Sequence, residues 1–206
     1  MIFRPISKDY PLILASRSPR RKRLLTQMGL PFRPVKSRVR EEEARGDPTA
    51  ASRSLAEKKA VHVYAAIGAS WVLGADTIVA IDGKMLGKPI GEEEARTMLS
   101  LLSGREHRVI TGFCLLSPSG AMAHSEAVTT LVRFKKLTRQ EIEGYIKTGE
   151  PFGKAGSYAI QGIGAFMVAS ISGSYTNVVG LPLCALIKAL IEVGALKKFP
   201  LPPVKT

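Results

Sequence analysis

Residues 12–29 read LILASRSPRRKRLLTQMG, a stretch that joins a short apolar run to a segment with four consecutive cations. The run Leu12–Leu14 predicts a strand covered by other elements. Ser18 followed by Pro19 predicts the start of a helix, because serine caps a free backbone N–H and proline needs no donor at the first helical position. Gly29 is typical of the residue that ends such a helix.

The four cations at 20–23 fall in the first turn of that predicted helix, where the helix dipole favours anions. A bound phosphate would relieve this unfavourable placement, since free backbone N–H groups and arginine side chains both suit phosphate oxygens. The alternative interpretation is a solvated basic surface. The chain contains no GxxxxGK[ST] pattern, so this segment is not an ordinary phosphate-binding loop of a nucleoside triphosphatase.

The length, net charge and cysteine content of the chain limit the class of protein. A chain of 206 residues fits one domain, or two small lobes that share a core. The formal charge of +13 implies an anionic partner: nucleic acid, nucleotide phosphates or a membrane surface. Cys114 and Cys184 lie in apolar runs, which predicts buried thiols in a reducing compartment. The N-terminus is too polar for a signal peptide and no run approaches the roughly 18 apolar residues of a membrane helix, so we expect a soluble cytoplasmic protein.

The run at 71–81 is almost continuously apolar and predicts a central strand, yet it contains Asp76. Burying a lone carboxylate is costly, so we expect Asp76 at a strand end or bulge that faces a cleft, with Gly74 allowing close approach. An aspartate that caps a turn is the alternative. Asp82 and Gly83 predict a tight hairpin that returns Lys88 to the region of Asp76. A cation and a carboxylate placed together are typical of a polyphosphate site with its metal.

Two further polar residues stand among apolar ones. Lys59 lies at the border of the apolar face of a helix predicted to begin at Thr49 or Ser52, after a turn at 46–48, and it either snorkels or binds a ligand. Gln161 is an isolated amide in the glycine-rich segment 152–164, and it offers the paired donor and acceptor that a nucleobase edge requires. Such glycine density also occurs in flexible linkers. A strand is predicted at 165–171 and a polar loop at 173–177.

Several motifs in order resemble the Maf nucleotide pyrophosphatases. They are SRSPRR at 16–21, LAxKKA ending at 60, GADT at 74–77, GKP at 87–89, SG at 103–104, TG at 111–112, KAGSYAIQG at 154–162 and GSYxNVVGLP at 173–182. The resemblance runs from about Leu12 to Gly194.

The resemblance implies hydrolysis of a nucleoside triphosphate between the α- and β-phosphates, with a divalent cation (Mg²⁺, Mn²⁺ or Co²⁺). It also implies an α/β fold in which a twisted mixed β-sheet with flanking helices is split by a deep cleft between two lobes, similar to the inosine triphosphate pyrophosphatases. The family-like domain would span 1–196, with 197–206 a frayed tail. Homodimers are common in the family.

The matching positions imply roles for individual residues. Asp76 matches the general base and a metal ligand, and Glu41 matches an acidic position near the metal, although Arg40 stands where the family often has a further acid. The family's phosphate-holding positions correspond to Ser16, Arg20, Arg21, Lys59 and Lys88. Two of these residues, Lys59 and Lys88, are also expected to be catalytic.

Three positions indicate the substrate. Arg20, Thr77 and Gln161 resemble the members that prefer dTTP and UTP, whereas members that act on 7-methyl-GTP tend to carry tryptophan, glutamine and glutamate there. We therefore expect a pyrophosphatase that acts on dTTP, UTP and related modified pyrimidine nucleotides, with a 7-methyl-GTP pyrophosphatase as the alternative. A nucleic-acid-binding protein without catalysis is the competing class, because the charge of +13 exceeds what a small nucleotide requires.

Overall fold

The structure is a computed structural model that describes residues 3–39 and 46–201. Its strands are β1 (Leu12–Leu14), β2 (Phe32–Pro34), β3 (Val72–Ile81), β4 (Lys84–Leu86), β5 (Glu106–Leu116), β6 (Met122–Phe134) and β7 (Val168–Ser172). Its helices are α1 (Pro19–Gln27), α2 (Pro48–Ile67), α3 (Glu92–Leu102), α4 (Arg139–Lys147), α5 (Tyr175–Val179) and α6 (Leu183–Glu192). Two short 3₁₀ helices span Ala155–Ser157 and Ile163–Met167.

The strands form one mixed sheet in the order β2-β1-β3-β5-β6-β7, with β4 paired to β3. β1 runs parallel to β2 and β3, whereas the other pairs are antiparallel. The mixed sheet with flanking helices is therefore confirmed.

One edge of β3 is left open in its middle. β5 pairs along β3 from Val72 to Ala80. On the other edge, β1 pairs only with Val72 and Leu73, and β4 pairs only from Val79 to Ile81. No described strand pairs with residues 74–78 on that edge, so a ligand can approach β3 in the plane of the sheet.

Helices cover both faces of the sheet. On one face, α2 packs Ala56, Ala60 and Val63 against Val72 and Cys114. On the other face there are two separate apolar clusters. The first joins α1 and α6 to Leu73 and Ala75 of β3. The second joins α3 and α4 to Val79 and Ile81 farther along the same strand. Because side chains alternate along a strand, Thr77 lies on this second face between the two clusters, which form the two lobes of the fold.

The predicted start of α1 and the predicted hairpin are confirmed. The Ser18 side chain accepts a hydrogen bond from the Arg21 N–H, and Gly29 adopts a φ of +64° just after the helix. Asp82 and Gly83 both have positive φ in the β3–β4 turn. The predicted start of α2 at Thr49 or Ser52 is wrong, because Asp47 is its N-cap and Pro48 its first residue.

Three other predictions need correction. The strand predicted at 165–171 begins at Val168, follows a 3₁₀ turn, and is largely exposed because β7 is an edge strand. The polar loop at 173–177 contains the start of α5, which the Ser174 side chain caps. Cys114 is buried as predicted, but Cys184 is exposed. None of the described helices is long and apolar enough to cross a membrane.

Candidate active site

A cavity of about 510 Å³ opens at the unpaired edge of β3. It brings together, from separate parts of the chain, the predicted site residues that the structure describes: Ser16, Arg20, Arg21, Lys59, Asp76, Thr77, Lys88 and Gln161. Glu41, the predicted second metal ligand, lies outside the described residues, as does the end of the tail at 202–206. The cavity lies between the two lobes, so the predicted cleft is confirmed.

Among the described residues that line the cavity, Asp76 is the one with a carboxylate, and it is 94 % inaccessible to solvent. Its Oδ1 accepts a hydrogen bond from Lys59 Nζ at 2.6 Å, and both side chains are buried. Asp76 Oδ2 has no hydrogen-bond partner among residues 3–39 and 46–201. Lys59 therefore does not merely snorkel from the border of α2, because its ammonium group holds one oxygen of the central carboxylate.

The expectation that Asp76 stands at a strand end or a bulge is wrong. Asp76 lies in the middle of β3, in regular register with Gly112 of β5. A buried carboxylate is tolerated there because Lys59 compensates its charge and because the opposite edge of the strand faces the cavity. The expected cleft is present, but it results from the gap between β1 and β4.

Arg21 is anchored at the base of the cavity by hydrogen bonds from its guanidinium. Nε donates to the Gly180 carbonyl at 2.7 Å, Nη1 to Ser16 Oγ at 3.2 Å, and Nη2 to Thr77 Oγ1 at 3.0 Å. Ser16 Oγ also accepts from the Ser18 N–H at 3.1 Å. With these two donors accepted, the Ser16 hydroxyl proton can be donated to an anion in the cavity.

Arg20 lies beside a second cation that the sequence did not single out. Arg20 Nε donates to the Val179 carbonyl at 3.3 Å. Burial lowers the pKa of Arg20. Burial, and then repulsion from Arg20, lower the pKa of Lys154, which also lines the cavity. Burial disfavours the charged form of both side chains, so an anion bound between the two cations would stabilise them.

The other cations divide into those that line the cavity and those that do not. Lys88 follows β4 and lines the cavity with Asp76, as the hairpin predicted. The first turn of α1 contributes only Arg20 and Arg21, whereas Lys22 and Arg23 do not line the cavity. The four cations of this turn therefore do not all border one site, because one turn of helix points side chains in all directions around its axis.

A chain of hydroxyl groups supports Thr77. Thr77 Oγ1 lies 2.9 Å from Thr111 Oγ1, and Thr111 Oγ1 donates to the Asn177 carbonyl at 3.0 Å. The buried Asn177 amide donates in turn to the Val109 carbonyl and to Thr130 Oγ1, each at 3.0 Å. The sequence showed Thr111 and Asn177 only as members of matching motifs, and their contacts join segments more than thirty residues apart.

The charges define what the cavity can bind. Its wall contains the cations Arg17, Arg20, Arg21, Lys36, Arg38, Lys59, Lys88 and Lys154. Asp76 is its one carboxylate in the part of the chain that the structure describes. Such a wall fits an extended polyanion, and the single carboxylate is placed to bind a cation or to accept a proton.

Comparison with known proteins gives consistent matches. The family model described as "Maf-like protein" matches residues 11–193. The dTTP/UTP pyrophosphatase of Syntrophotalea carbinolica is 48% identical over 198 residues, which cover 95% of this chain and 90% of the relative. The dTTP/UTP pyrophosphatase of Halalkalibacterium halodurans is 49% identical over 190 residues, which cover 92% of this chain and 99% of the relative.

Among solved structures, a nucleoside-triphosphatase (dITP/XTP pyrophosphatase) from Mycobacterium abscessus is 18% identical to the chain. The match covers 62% of this chain and 75% of that chain, with a TM-score of 0.39. This similarity is too weak to support an inference about the site.

Proposed function

The chain belongs to the Maf-like protein family, and on that premise we propose that it hydrolyses dTTP and UTP to the nucleoside monophosphate and pyrophosphate. The observation that carries the proposal is the buried Asp76 in a cavity wall rich in cations. The relatives named dTTP/UTP pyrophosphatase support the choice of substrate over 7-methyl-GTP.

The triphosphate binds along the cationic wall. Arg21 is held in the cavity wall by hydrogen bonds to Gly180, Ser16 and Thr77, so its positive charge faces the phosphates with little loss of side-chain entropy on binding. Arg20 and Lys88 contribute further charge from the opposite lobes, α1 and the segment after β4. The Ser16 hydroxyl donates to a phosphate oxygen at the start of α1.

A divalent cation (Mg²⁺, Mn²⁺ or Co²⁺) fits this site. Mg²⁺ is usually held by one or two carboxylates together with substrate phosphates. Asp76 supplies such a carboxylate, and the described residues contain no group of three or more metal-ligating side chains that would hold a cation without substrate. We assign Asp76 as the ligand, with Glu41 as a second. When bound, the cation neutralises charge on the phosphate oxygens.

The hydrolysis requires one bond to form and one to break. Lys59 holds Asp76 Oδ1, so we assign Oδ2 as the atom that accepts a proton from the attacking water. The water oxygen bonds to the α-phosphorus, the bond from that phosphorus to the bridging oxygen breaks, and pyrophosphate leaves. Arg20, Arg21 and Lys88 stabilise the negative charge that moves to the leaving group.

Gln161 reads the base. It is half-buried in the cavity wall next to Ile160. Its amide N–H can donate to O4 of uracil or thymine, while its carbonyl accepts from N3–H. Cytosine presents the opposite pattern at these two atoms, so Gln161 in one fixed orientation discriminates between them.

Product analysis tests the proposal. The purified protein is incubated with Mg²⁺ or Mn²⁺ and with dTTP, UTP, CTP, dATP, GTP or 7-methyl-GTP. We expect monophosphate and pyrophosphate in equal amounts from dTTP and UTP. Release of inorganic phosphate and a nucleoside diphosphate would contradict the cleavage position, and a preference for 7-methyl-GTP would contradict the substrate assignment.

A further inference from the structure

The Glu150 carboxylate lies behind the loop that contains Gln161. Its Oε1 accepts hydrogen bonds from the Gly164 N–H at 2.9 Å and from the Tyr145 hydroxyl at 2.9 Å. Its Oε2 accepts from the Ile163 N–H at 3.0 Å. One side chain therefore binds two consecutive backbone donors just beyond Gln161.

Tyr145 binds the other end of the same loop. Its hydroxyl oxygen accepts a hydrogen bond from the Ala159 N–H at 3.2 Å while it donates to Glu150. The segment 159–164 is thus fixed on both sides of Gln161 by one phenol and one carboxylate. The Tyr145 ring is buried in the second apolar cluster, so the loop is fixed to the core of that lobe.

The loop backbone is shaped to fit this carboxylate. Gly162 has a φ of +100°, which side-chain-bearing residues rarely adopt, and a Cβ added there would lie 2.5 Å from Glu150 Oε2. The close approach therefore requires glycine directly after Gln161.

Glu150 and Tyr145 do not line the cavity, whereas Gln161 and Lys154 do. Lys154 Nζ donates to the Glu150 main-chain carbonyl. Glu150 thus binds the backbone just beyond Gln161 through its carboxylate and the Lys154 side chain through its main-chain carbonyl, while its own side chain does not line the cavity.

The carboxylate is ionised in this position. Burial alone would raise the pKa of Glu150, but the hydrogen bonds from Gly164, Ile163 and Tyr145 outweigh it and lower the pKa. Hydrogen bonds to an ionised acceptor are stronger than those between neutral groups.

We propose that Glu150, together with Tyr145, is a positioning residue that fixes the orientation of Gln161 and thereby sets the preference for uracil and thymine over cytosine. This inference rests on the proposed function, because it assumes that Gln161 reads the base. In this role Glu150 does not contact the reacting phosphates.

The test compares Glu150→Ala, Glu150→Gln and Tyr145→Phe with the wild type on dTTP and CTP. For Glu150→Ala we expect KM for dTTP to rise about tenfold or more, kcat to stay within about threefold, and the ratio of kcat/KM for dTTP over CTP to fall about tenfold. Glu150→Gln keeps one acceptor oxygen and should show a smaller change in the same direction, as should Tyr145→Phe. Glu143→Gln is the matched control, because Glu143 lies on α4 and pairs with Arg96 instead.

Hydrogen exchange gives a readout that does not depend on turnover. In the nucleotide-free protein, the amides of Ile163 and Gly164 should exchange at least about tenfold faster in Glu150→Ala than in the wild type, because their acceptor is lost. If Glu150→Ala does not fold, Tyr145→Phe decides the outcome. A wild type that cleaves neither dTTP nor UTP would overturn the proposed function. A wild type that cleaves both, with folded variants that keep KM and selectivity, would overturn the role of Glu150 alone.

Discussion

Asp76 and Thr77 are consecutive in the chain, yet their side chains lie on opposite faces of β3. Asp76 meets Lys59 of α2 on one face, and Thr77 meets Arg21 on the other. Both still line one cavity, because the edge of β3 is open between β1 and β4. The pleat of one strand therefore presents a carboxylate from one face and a hydroxyl bound to a guanidinium from the other face to the same cavity.

Replacing the carboxylate of Asp76 should remove catalysis. We expect Asp76→Asn to lower kcat by about 100-fold or more, because an amide does not accept the proton of water at neutral pH. Steady-state kinetics on dTTP measure the change. Asp82→Asn is the control: Asp82 lies in the hairpin that ends the same strand, is exposed and pairs with Arg105. Turnover of Asp76→Asn close to that of the control would remove Asp76 from the role of base.

Changing the acceptor and donor pattern at Gln161 should alter the substrate profile. In Gln161→Glu the donor to O4 is lost, so we expect KM for dTTP and UTP to rise about tenfold with a smaller effect on kcat. Gln140→Glu, an exposed change on α4, is the control. The assignment of Gln161 to the base fails if both variants show the same profile across the six nucleotides.

Single residues were predictable where the local pattern was unusual. Asp76 is conspicuous as a carboxylate in an apolar run, and Gln161 as an amide in a glycine-rich segment. Glu150 gave no such signal, because an acid before a proline is typical of any surface turn. Its partners at Ile163 and Gly164 are thirteen and fourteen residues away, and only the folded backbone brings them to it.

At the scale of elements, the approach of α2 to the sheet places Lys59. A Cβ at Gly74 would lie 2.0 Å from the Ala56 carbonyl oxygen, and one at Gly112 would lie 2.4 Å from the Ser52 backbone. These two glycines, on adjacent strands, therefore allow the helix to pack directly against the backbone of β3 and β5. Gly74 does allow close approach as predicted, but the group that approaches is a helix.

A side chain at this contact should push α2 away from Asp76. We expect Gly112→Ala to lower the free energy of unfolding by about 1–3 kcal/mol and to lower kcat as well, since Lys59 is displaced from Asp76. Chemical denaturation and kinetics on the same samples measure both. Gly144→Ala in α4 meets nothing within 4 Å, so it should be neutral or stabilising by about 0.5–1 kcal/mol. An unchanged Gly112→Ala variant would contradict the close packing.

Elements with a clear cap or turn were predictable from the sequence, as the Ser18 cap and the Asp82–Gly83 hairpin show. The start of α2 was misplaced because Asp47 and Pro48 suit both a turn and an N-cap followed by a first helical residue. The 3₁₀ turn at Ile163–Met167 had no local signal, since its position depends on the carboxylate behind it.

At the scale of the whole molecule, the charge of +13 exceeds what one nucleotide needs. Part of the excess lies at the cavity itself, where the exposed residues Arg17, Lys36 and Arg38 join the more buried cations. Cations at a cavity mouth raise the rate at which anions arrive.

The rate of substrate capture should therefore depend on salt. We expect kcat/KM for dTTP to fall several-fold between about 50 and about 500 mM salt, and less steeply in Lys36→Gln and Arg38→Gln. Lys188→Gln on α6 is the control, because Lys188 is exposed and does not line the cavity. Tight, salt-dependent binding of RNA or DNA that survives Asp76→Asn would instead assign the excess charge to nucleic acid.

Stability should fall in mild acid because of His107. Burial lowers its pKa from 6.5 to about 4, and its Nε2 pairs with the Tyr158 hydroxyl at 2.8 Å. Between these pH values the unfolded chain binds a proton that the folded chain does not, so stability present above pH 6.5 is lost as the pH falls towards 4. We expect a loss of about 2 kcal/mol between pH 7 and pH 5 that is absent from His107→Gln, measured by denaturant unfolding at both pH values. Equal losses in both proteins would contradict this assignment.

The gap between β1 and β4 also affects how the substrate preference of such an enzyme can change. In an uninterrupted sheet, consecutive side chains of a strand point to opposite faces, so a ligand on one face contacts only every second residue. Here a bound nucleotide would meet both faces of β3 at once. Position 77 can then be exchanged for a residue suited to another substrate without moving the pair formed by Asp76 and Lys59, because the side chains at 76 and 77 lie on opposite faces of β3. One strand can in this way keep the same reaction while substitutions at the neighbouring position change which substrate is recognised.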